Sequence, residues 1–122
     1  MSGDRQRGRE WFEKVMGLPA PEVAPDPFFE ATVDHLFAEV WARPGLSVRD
    51  RRLITLTVLI QLGNEMALRL HLDATLRQQQ LTDVELDELI LHVAHYGGWP
   101  GAAVASTILR QLRAARDEQP PG

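Results

Sequence analysis

Residues 47–65 read SVRDRRLITLTVLIQLGNE, and the fold turns on how they are read. Ser47 is a residue type that caps helices. The apolar residues that follow, Leu53, Ile54, Leu56, Val58, Leu59 and Ile60, cover most of the circumference of a helix running to Gln61 or Leu62. That girth predicts a central helix, the third of the chain. Gly63 stops it and Asn64 caps a fourth helix, from Glu65 to about Gln79. Leu53 to Leu62 is the longest apolar stretch, but it carries Thr55, Thr57 and Gln61 and is too short to span a bilayer.

Helical signals continue on both sides. Downstream, Thr82 with Glu85 three residues on is a capping box for a fifth helix ending at Gly97-Gly98. Pro100 opens a sixth, to about Arg116, and residues 117–122 are expected to be a disordered tail. Upstream, Ala42-Arg43-Pro44-Gly45 is a turn, because Pro44 disfavours helix at Arg43 and Gly45 permits positive φ. Asp26 caps a second helix, with Pro27 at its first position, reaching Trp41. Gly17 to Pro27 holds four of the eight prolines and reads as an extended connector. Arg5 to Met16 is a first helix with Trp11, Phe12 and Val15 on one face. Gly8 weakens it, and it is expected to be an arm that docks on another subunit. Almost nothing alternates as a half-buried strand would, so the predicted fold is all-α, with about six helices.

A chain of 122 residues supports one ordinary core, so residues 1–122 are expected to form a single domain. Hydrophobic content of 44% and charged content of 25% sit near the soluble globular average, against wholesale disorder. A net charge of −4 leaves no basic footprint for a nucleic-acid backbone. The absence of cysteine excludes disulfides, thiolate metal sites and cysteine redox chemistry. Met1 to Glu13 is charged and no apolar segment follows it, so the cytoplasm is the expected location, with no membrane partner.

The fourth helix carries most of the chemistry. Asn64, Ala67, Leu68, His71 and Thr75 share one stripe of it, and Glu65, Arg69, Leu72 and Leu76 share the adjoining one. Glu65 and Arg69, at i and i+4, are able to pair, and a solvated ion pair accounts for them as well as a site does. A lone His71 among leucines is as readily a satisfied core histidine as a reactive one. His92 and His95 are neighbours one helical turn apart, but no third ligand or HExxH pattern accompanies them, and no metal is predicted. His35 reads as ordinary surface. Gly97-Gly98 follows no strand and belongs to neither phosphate-loop pattern. It reads as a helix stop that lets backbone approach closely.

Three stretches taken together, Trp41-Ala42-Arg43-Pro44-Gly45-Leu46-Ser47, Leu68-Arg69-Leu70-His71-Leu72 and Tyr96-Gly97-Gly98-Trp99-Pro100-Gly101-Ala102-Ala103, resemble the carboxymuconolactone decarboxylase family in order and spacing over roughly residues 10 to 115. The resemblance implies a helical-hairpin core of the AhpD-like type and a homo-oligomeric ring, a hexamer or a trimer. The peroxide-defence branch of that family carries CxxCxxxH where this chain has Asn64, Ala67 and His71, so the decarboxylase branch is the better match and thiol peroxidase activity is excluded.

That branch is named for the cofactor-free loss of carbon dioxide from 4-carboxymuconolactone, giving 3-oxoadipate enol-lactone. Such a reaction needs cations for the carboxylates, a donor for charge spreading into the lactone, and an acid for the carbanion. The resemblance implies His71 as that proton donor, Arg69 as a carboxylate holder and Glu65 as an orienting group. Arg52, Asn64, His95 and Trp99 are the substrate-binding candidates, and Arg43 and Arg49 are further cations near the helix ends. The family commonly has an acidic or small polar residue at the place of Arg52, Arg at the place of Asn64 and an apolar residue at the place of His95. A related lactone or small organic acid is therefore as fitting a substrate as the named one. The alternative is a non-catalytic oligomeric binding or assembly protein on the same scaffold. Convergence of His71 with another polar candidate on an enclosed cavity distinguishes the two.

Overall fold

A computed structural model describes residues 2–22 and 26–119. Among the described residues every regular element is helical: α1 (Ser2–Met16), α2 (Pro27–Ala31), a π-helical stretch (Thr32–Trp41) that continues α2, α3 (Val48–Leu62), α4 (Glu65–Gln78), α5 (Asp83–Gly97) and α6 (Trp99–Glu118). No helix among these residues is long and apolar enough to cross a membrane. The chain divides into two compact units, Met1–Arg51 and Arg52–Gly122, with the boundary inside α3.

In the first unit, Asp26 accepts the Phe29 N–H at 2.7 Å and Pro27 takes the first turn of α2, as the sequence predicts. The wider winding from Thr32 to Trp41 has no sequence signal. Val15, Met16, Phe37 and Trp41 form a buried cluster against which Trp11, Phe12 and Val48 pack. Phe12 meets Phe37 edge-on at 5.0 Å, and Phe37 stacks on Trp41 at 6.4 Å. The aromatic face of α1 thus packs against its own chain, and the helix starts at Ser2, three residues before Arg5. Gly8 explains why: a Cβ there would collide with the backbone carbonyl of Val33, so the glycine that weakens the helix locally lets it press against its neighbour. Arg5 adds a two-pronged contact to Asp34, at 2.6 and 3.0 Å. Of the predicted connector, residues 17–22 have no regular structure and residues 23–25 lie outside those described.

The second unit is built on Leu56, Ile60, Leu68, Leu72, Leu86 and Leu109, joined by further apolar side chains of α5 and α6. Two of its helices, α4 and α5, begin where side-chain oxygens satisfy backbone N–H groups. Asn64 accepts from Ala67 at 3.0 Å, and Thr82 with Glu85 closes a reciprocal capping box. Gln79, at φ 56°, ends α4 in the left-handed conformation. Gly97 sits where a Cβ would strike the Gln61 amide, which accounts for a glycine inside the last turn of α5. Arg113 and Arg116 tie the far end of α6 to Asp83 and Asp87 of α5, so Asp117 and Glu118 close the helix instead of starting a tail. Residues 120–122 lie outside those described.

α3 departs from its predicted role. Only one of its stripes is buried, Arg52, Leu56 and Ile60, while Ile54, Val58 and Leu62 are exposed, Leu62 at 71%. Its apolar girth is not matched by cover on all sides.

Candidate functional site

The buried stripe of α3 begins with a charge. Arg52 is 0% exposed, one turn ahead of Leu56. From there its Nη1 donates to Nδ1 of His71 on α4 at 2.8 Å, and its Nη2 donates to Oε1 of Gln80 at 3.1 Å. Gln80 reaches back because Gln79 turns the chain out of α4 with a positive φ. On the same stripe as His71, fully buried Thr75 donates to the His71 carbonyl at 2.6 Å.

The electrostatics follow from burial. His71 is pushed down to about 4, first by loss of water and then by the Arg52 charge beside it. Arg52 is lowered to about 10, first by burial and then by the charge of Arg77, which itself pairs with Asp73 at 3.0 Å. At neutral pH the guanidinium is charged and the imidazole is neutral. A guanidinium has no acceptor, so Nδ1 accepts from it and the ring proton resides on Nε2.

The other candidates lie elsewhere in this unit. Glu65 and Arg69 line an open groove between α4 and α6, about 280 Å³, with Ala103, Thr107 and Gln111. Arg69 donates to Gln111 at 2.7 Å, and no ion pair joins it to Glu65 among the described residues. Across α6, a groove of about 400 Å³ is lined by Trp99, Leu91, Asp87, Ser106 and Arg110, and it shares Ala103 and Thr107 with the first. The His95 ring meets Trp99 edge-on at 5.8 Å, with its Nδ1 on the Leu91 carbonyl at 2.8 Å. Asn64 spends its side-chain oxygen on the α4 cap, and Leu68, on the His71 stripe, is buried in the core. In the first unit, Arg43 accepts at its carbonyl from Arg51 at 3.3 Å, and Arg49 lies 3.7 Å from Asp50.

Three places therefore emerge where the sequence predicts one. Of the predicted residues, Arg52 and His71 come together, His95 and Trp99 come together, and Glu65 and Arg69 share a groove. Gln80 is the residue that sequence reasoning misses. Within the run Gln78-Gln79-Gln80 only the left-handed turn at Gln79 distinguishes which glutamine points home, and three identical residues carry no such mark.

A family model for carboxymuconolactone decarboxylases matches residues 26–111. The chain belongs to the carboxymuconolactone decarboxylase family. It is 46% identical over 76 residues to a 4-carboxymuconolactone decarboxylase from Acinetobacter baylyi, a match covering 62% of this chain and 56% of that protein. It is 29% identical over 104 residues to a nitrosuccinic acid decarboxylase from Metarhizium robertsii, covering 85% and 71%. The chain thus spans little more than half the length of the first of these relatives. No solved structure gives a significant match. The family match crosses the boundary between the two compact units, so the family region comprises parts of both.

Proposed function

We propose that the protein is a cofactor-free decarboxylase of a small organic acid, a carboxymuconolactone-like lactone acid or a relative of it, with His71 as the proton donor. The observation that carries this reading is the contact of Arg52 with His71, a buried cation and a part-buried imidazole joined at 2.8 Å within a family whose two relatives above are named decarboxylases. When a carboxylate leaves as carbon dioxide, the electron pair of the broken bond spreads into the adjoining unsaturated system. A preorganised donor stabilises that charge where it develops. The Nε2–H of His71 is such a donor, and the same nitrogen is the proposed source of the proton for the carbanion, with Nδ1 taking a proton from Arg52 Nη1 across the 2.8 Å contact as Nε2 gives one up and the guanidine recovering its proton from water. Arg69 and Glu65 are proposed to meet the acid's other end, and Asn64, His95 and Trp99 to complete the binding surface.

Incubation of the full chain with 4-carboxymuconolactone and with nitrosuccinate, followed by carbon dioxide release, tests the reading. Turnover that falls by about two to four orders of magnitude in His71→Gln, with the fold retained, supports it. Absence of release from a panel of such acids by the folded protein overturns it.

A second reading has an observation of its own. Because Glu65 and Arg69 lie in an open groove while His71 lies with Arg52, a non-catalytic binding or assembly protein on the same scaffold would need no convergence of these groups. Saturable binding of the acids without turnover is its signature. Under either reading we propose assembly with copies of the same chain, as a hexamer or trimer. Exposed Ile54, Val58 and Leu62 at every fourth position of α3, and exposed Met66 and Leu70 of α4, support this. A monodisperse monomer by light scattering at micromolar concentration would refute it.

A further inference from the structure

Histidines at reactive sites are commonly oriented by an acceptor. A carboxylate or carbonyl takes the proton on one ring nitrogen and leaves the other more basic. His71 is oriented by a donor, and that inverts the consequence. With Arg52 Nη1 at 2.8 Å from Nδ1, the lone pair of that nitrogen is committed and the guanidinium withdraws electron density from the ring. Nε2–H becomes a stronger hydrogen-bond donor, and the ring a poorer base.

The contact depends on how the guanidinium is held. Arginine has a long flexible side chain whose rotamer freedom must be lost to hold a two-point geometry. Nη2 is fixed by Gln80 Oε1 at 3.1 Å, on the opposite prong from the one that meets His71. Gln80 is placed by the left-handed turn at Gln79 rather than by a helix, so it approaches Arg52 from beyond the end of α4 while His71 approaches from within it. The charge of Arg77, itself paired with Asp73 at 3.0 Å, bears on Arg52. Both acceptors of the guanidinium named here, the imidazole and the amide, are neutral.

We propose that Gln80 is a positioning residue that aims Arg52 at His71 Nδ1, fixing His71 as an Nε2–H donor for an oxygen or carbon that gathers negative charge as a carboxylate departs. The proposal deepens the decarboxylase reading and rests on it for the identity of the acceptor. The tautomer itself is independent of turnover.

The test is nitrogen NMR of the His71 ring in the full chain, together with steady-state kinetics, for the wild type, Gln80→Met and Gln80→Glu. Methionine keeps the length and removes the acceptor, whereas glutamate keeps an acceptor for Nη2. In the wild type, Nδ1 should show an unprotonated, accepting resonance and Nε2 a protonated one at neutral pH. Gln80→Met should mix the two tautomers, move the ring's titration midpoint upward and lower kcat by about 10- to 100-fold with KM little changed, the scale of a placement error of about 1 Å. Gln80→Glu should restore the single tautomer. A protonated Nδ1 in the wild type, or a Gln80→Met spectrum identical to the wild type's, overturns the proposal. If Gln80→Met does not fold, the wild-type tautomer and its retention in Gln80→Glu decide it. A protein with the expected tautomers but no turnover of any acid keeps the positioning role and loses the decarboxylase reading.

Discussion

Replacing His71 by Gln removes one titrating group from a buried position, and its signature is acid-dependent stability. In an unfolded chain an imidazole titrates near 6.5, whereas in the folded protein His71 is lowered to about 4 by burial and by Arg52. Above pH 6.5 both states hold it neutral and no linkage exists. Between 6.5 and 4 the unfolded state binds a proton that the folded state refuses, so stability falls as pH falls. The slope approaches about 1.4 kcal/mol per pH unit, a loss of about 3 kcal/mol across the window. Below 4 both states are protonated and the loss is complete. Against the usual 5–15 kcal/mol total, that is a large fraction. Gln has no proton to bind, and the carboxylates are common to both proteins, so the wild-type minus His71→Gln stability difference should shrink by about 3 kcal/mol from pH 7 to pH 4. Urea unfolding followed by fluorescence of Trp11, Trp41 and Trp99, at fixed protein concentration because an assembling chain gains stability with concentration, gives that difference. A difference flat to within about 0.5 kcal/mol would show that His71 protonates in the fold at its ordinary value. A difference that grows toward acid would mean an imidazolium is stabilised, contradicting the Arg52 contact.

Three further substitutions separate site from scaffold. Arg52→Met removes a buried charge but keeps much of the volume, so stability at pH 7 should change by less than about 2 kcal/mol, in either direction, while the His71 midpoint rises toward but not to 6.5, since burial remains. An unmoved midpoint in an NMR titration would contradict the assigned cause. Gly8→Ala should lower stability by about 1–3 kcal/mol despite alanine's better helix propensity, because its Cβ meets the Val33 carbonyl, and a raised melting temperature would show that α1 is not pressed there. Asn64→Ala should cost about 1 kcal/mol through the lost α4 cap. A fall in substrate affinity larger than the stability loss explains would support the proposed place of Asn64 on the binding surface.

The fold was legible because its punctuation is local. Asp26, Asn64 and the Thr82–Glu85 pair each announce a helix start through a side-chain oxygen that bonds N–H groups three residues on, and such signals survive without tertiary context. The family resemblance was legible for the same reason, in short contiguous motifs. What escaped was set by partners distant in sequence. Gly8 looks like a flaw until Val33 is beside it, and Arg52 reads as a substrate-binding cation with no sign that the packing of the second unit encloses it. That His71 meets Arg52 while Arg69 meets Gln111 of α6 was not legible, because helical spacing gives only an angle around α4. Which neighbour meets each angle, Arg52 or α6, depends on the assembled unit.

The Arg52–His71 contact also narrows the chemistry that suits this position. Enolisation and lactone isomerisation by proton abstraction begin by taking a proton from carbon, and they need a base whose conjugate acid is stable near neutral pH. A part-buried imidazole lowered to about 4, with its Nδ1 lone pair already bonded to a cation, is poorly suited to that first step. Decarboxylation makes no such demand, because the electron pair comes from the carbon–carbon bond and the site has only to receive it. A neutral Nε2–H backed by a buried guanidinium supplies a donor before the charge forms. A cation at position 52 thus makes His71 a worse base and a better hydrogen-bond donor. That combination suits the proposed decarboxylation better than it suits isomerisation by proton abstraction.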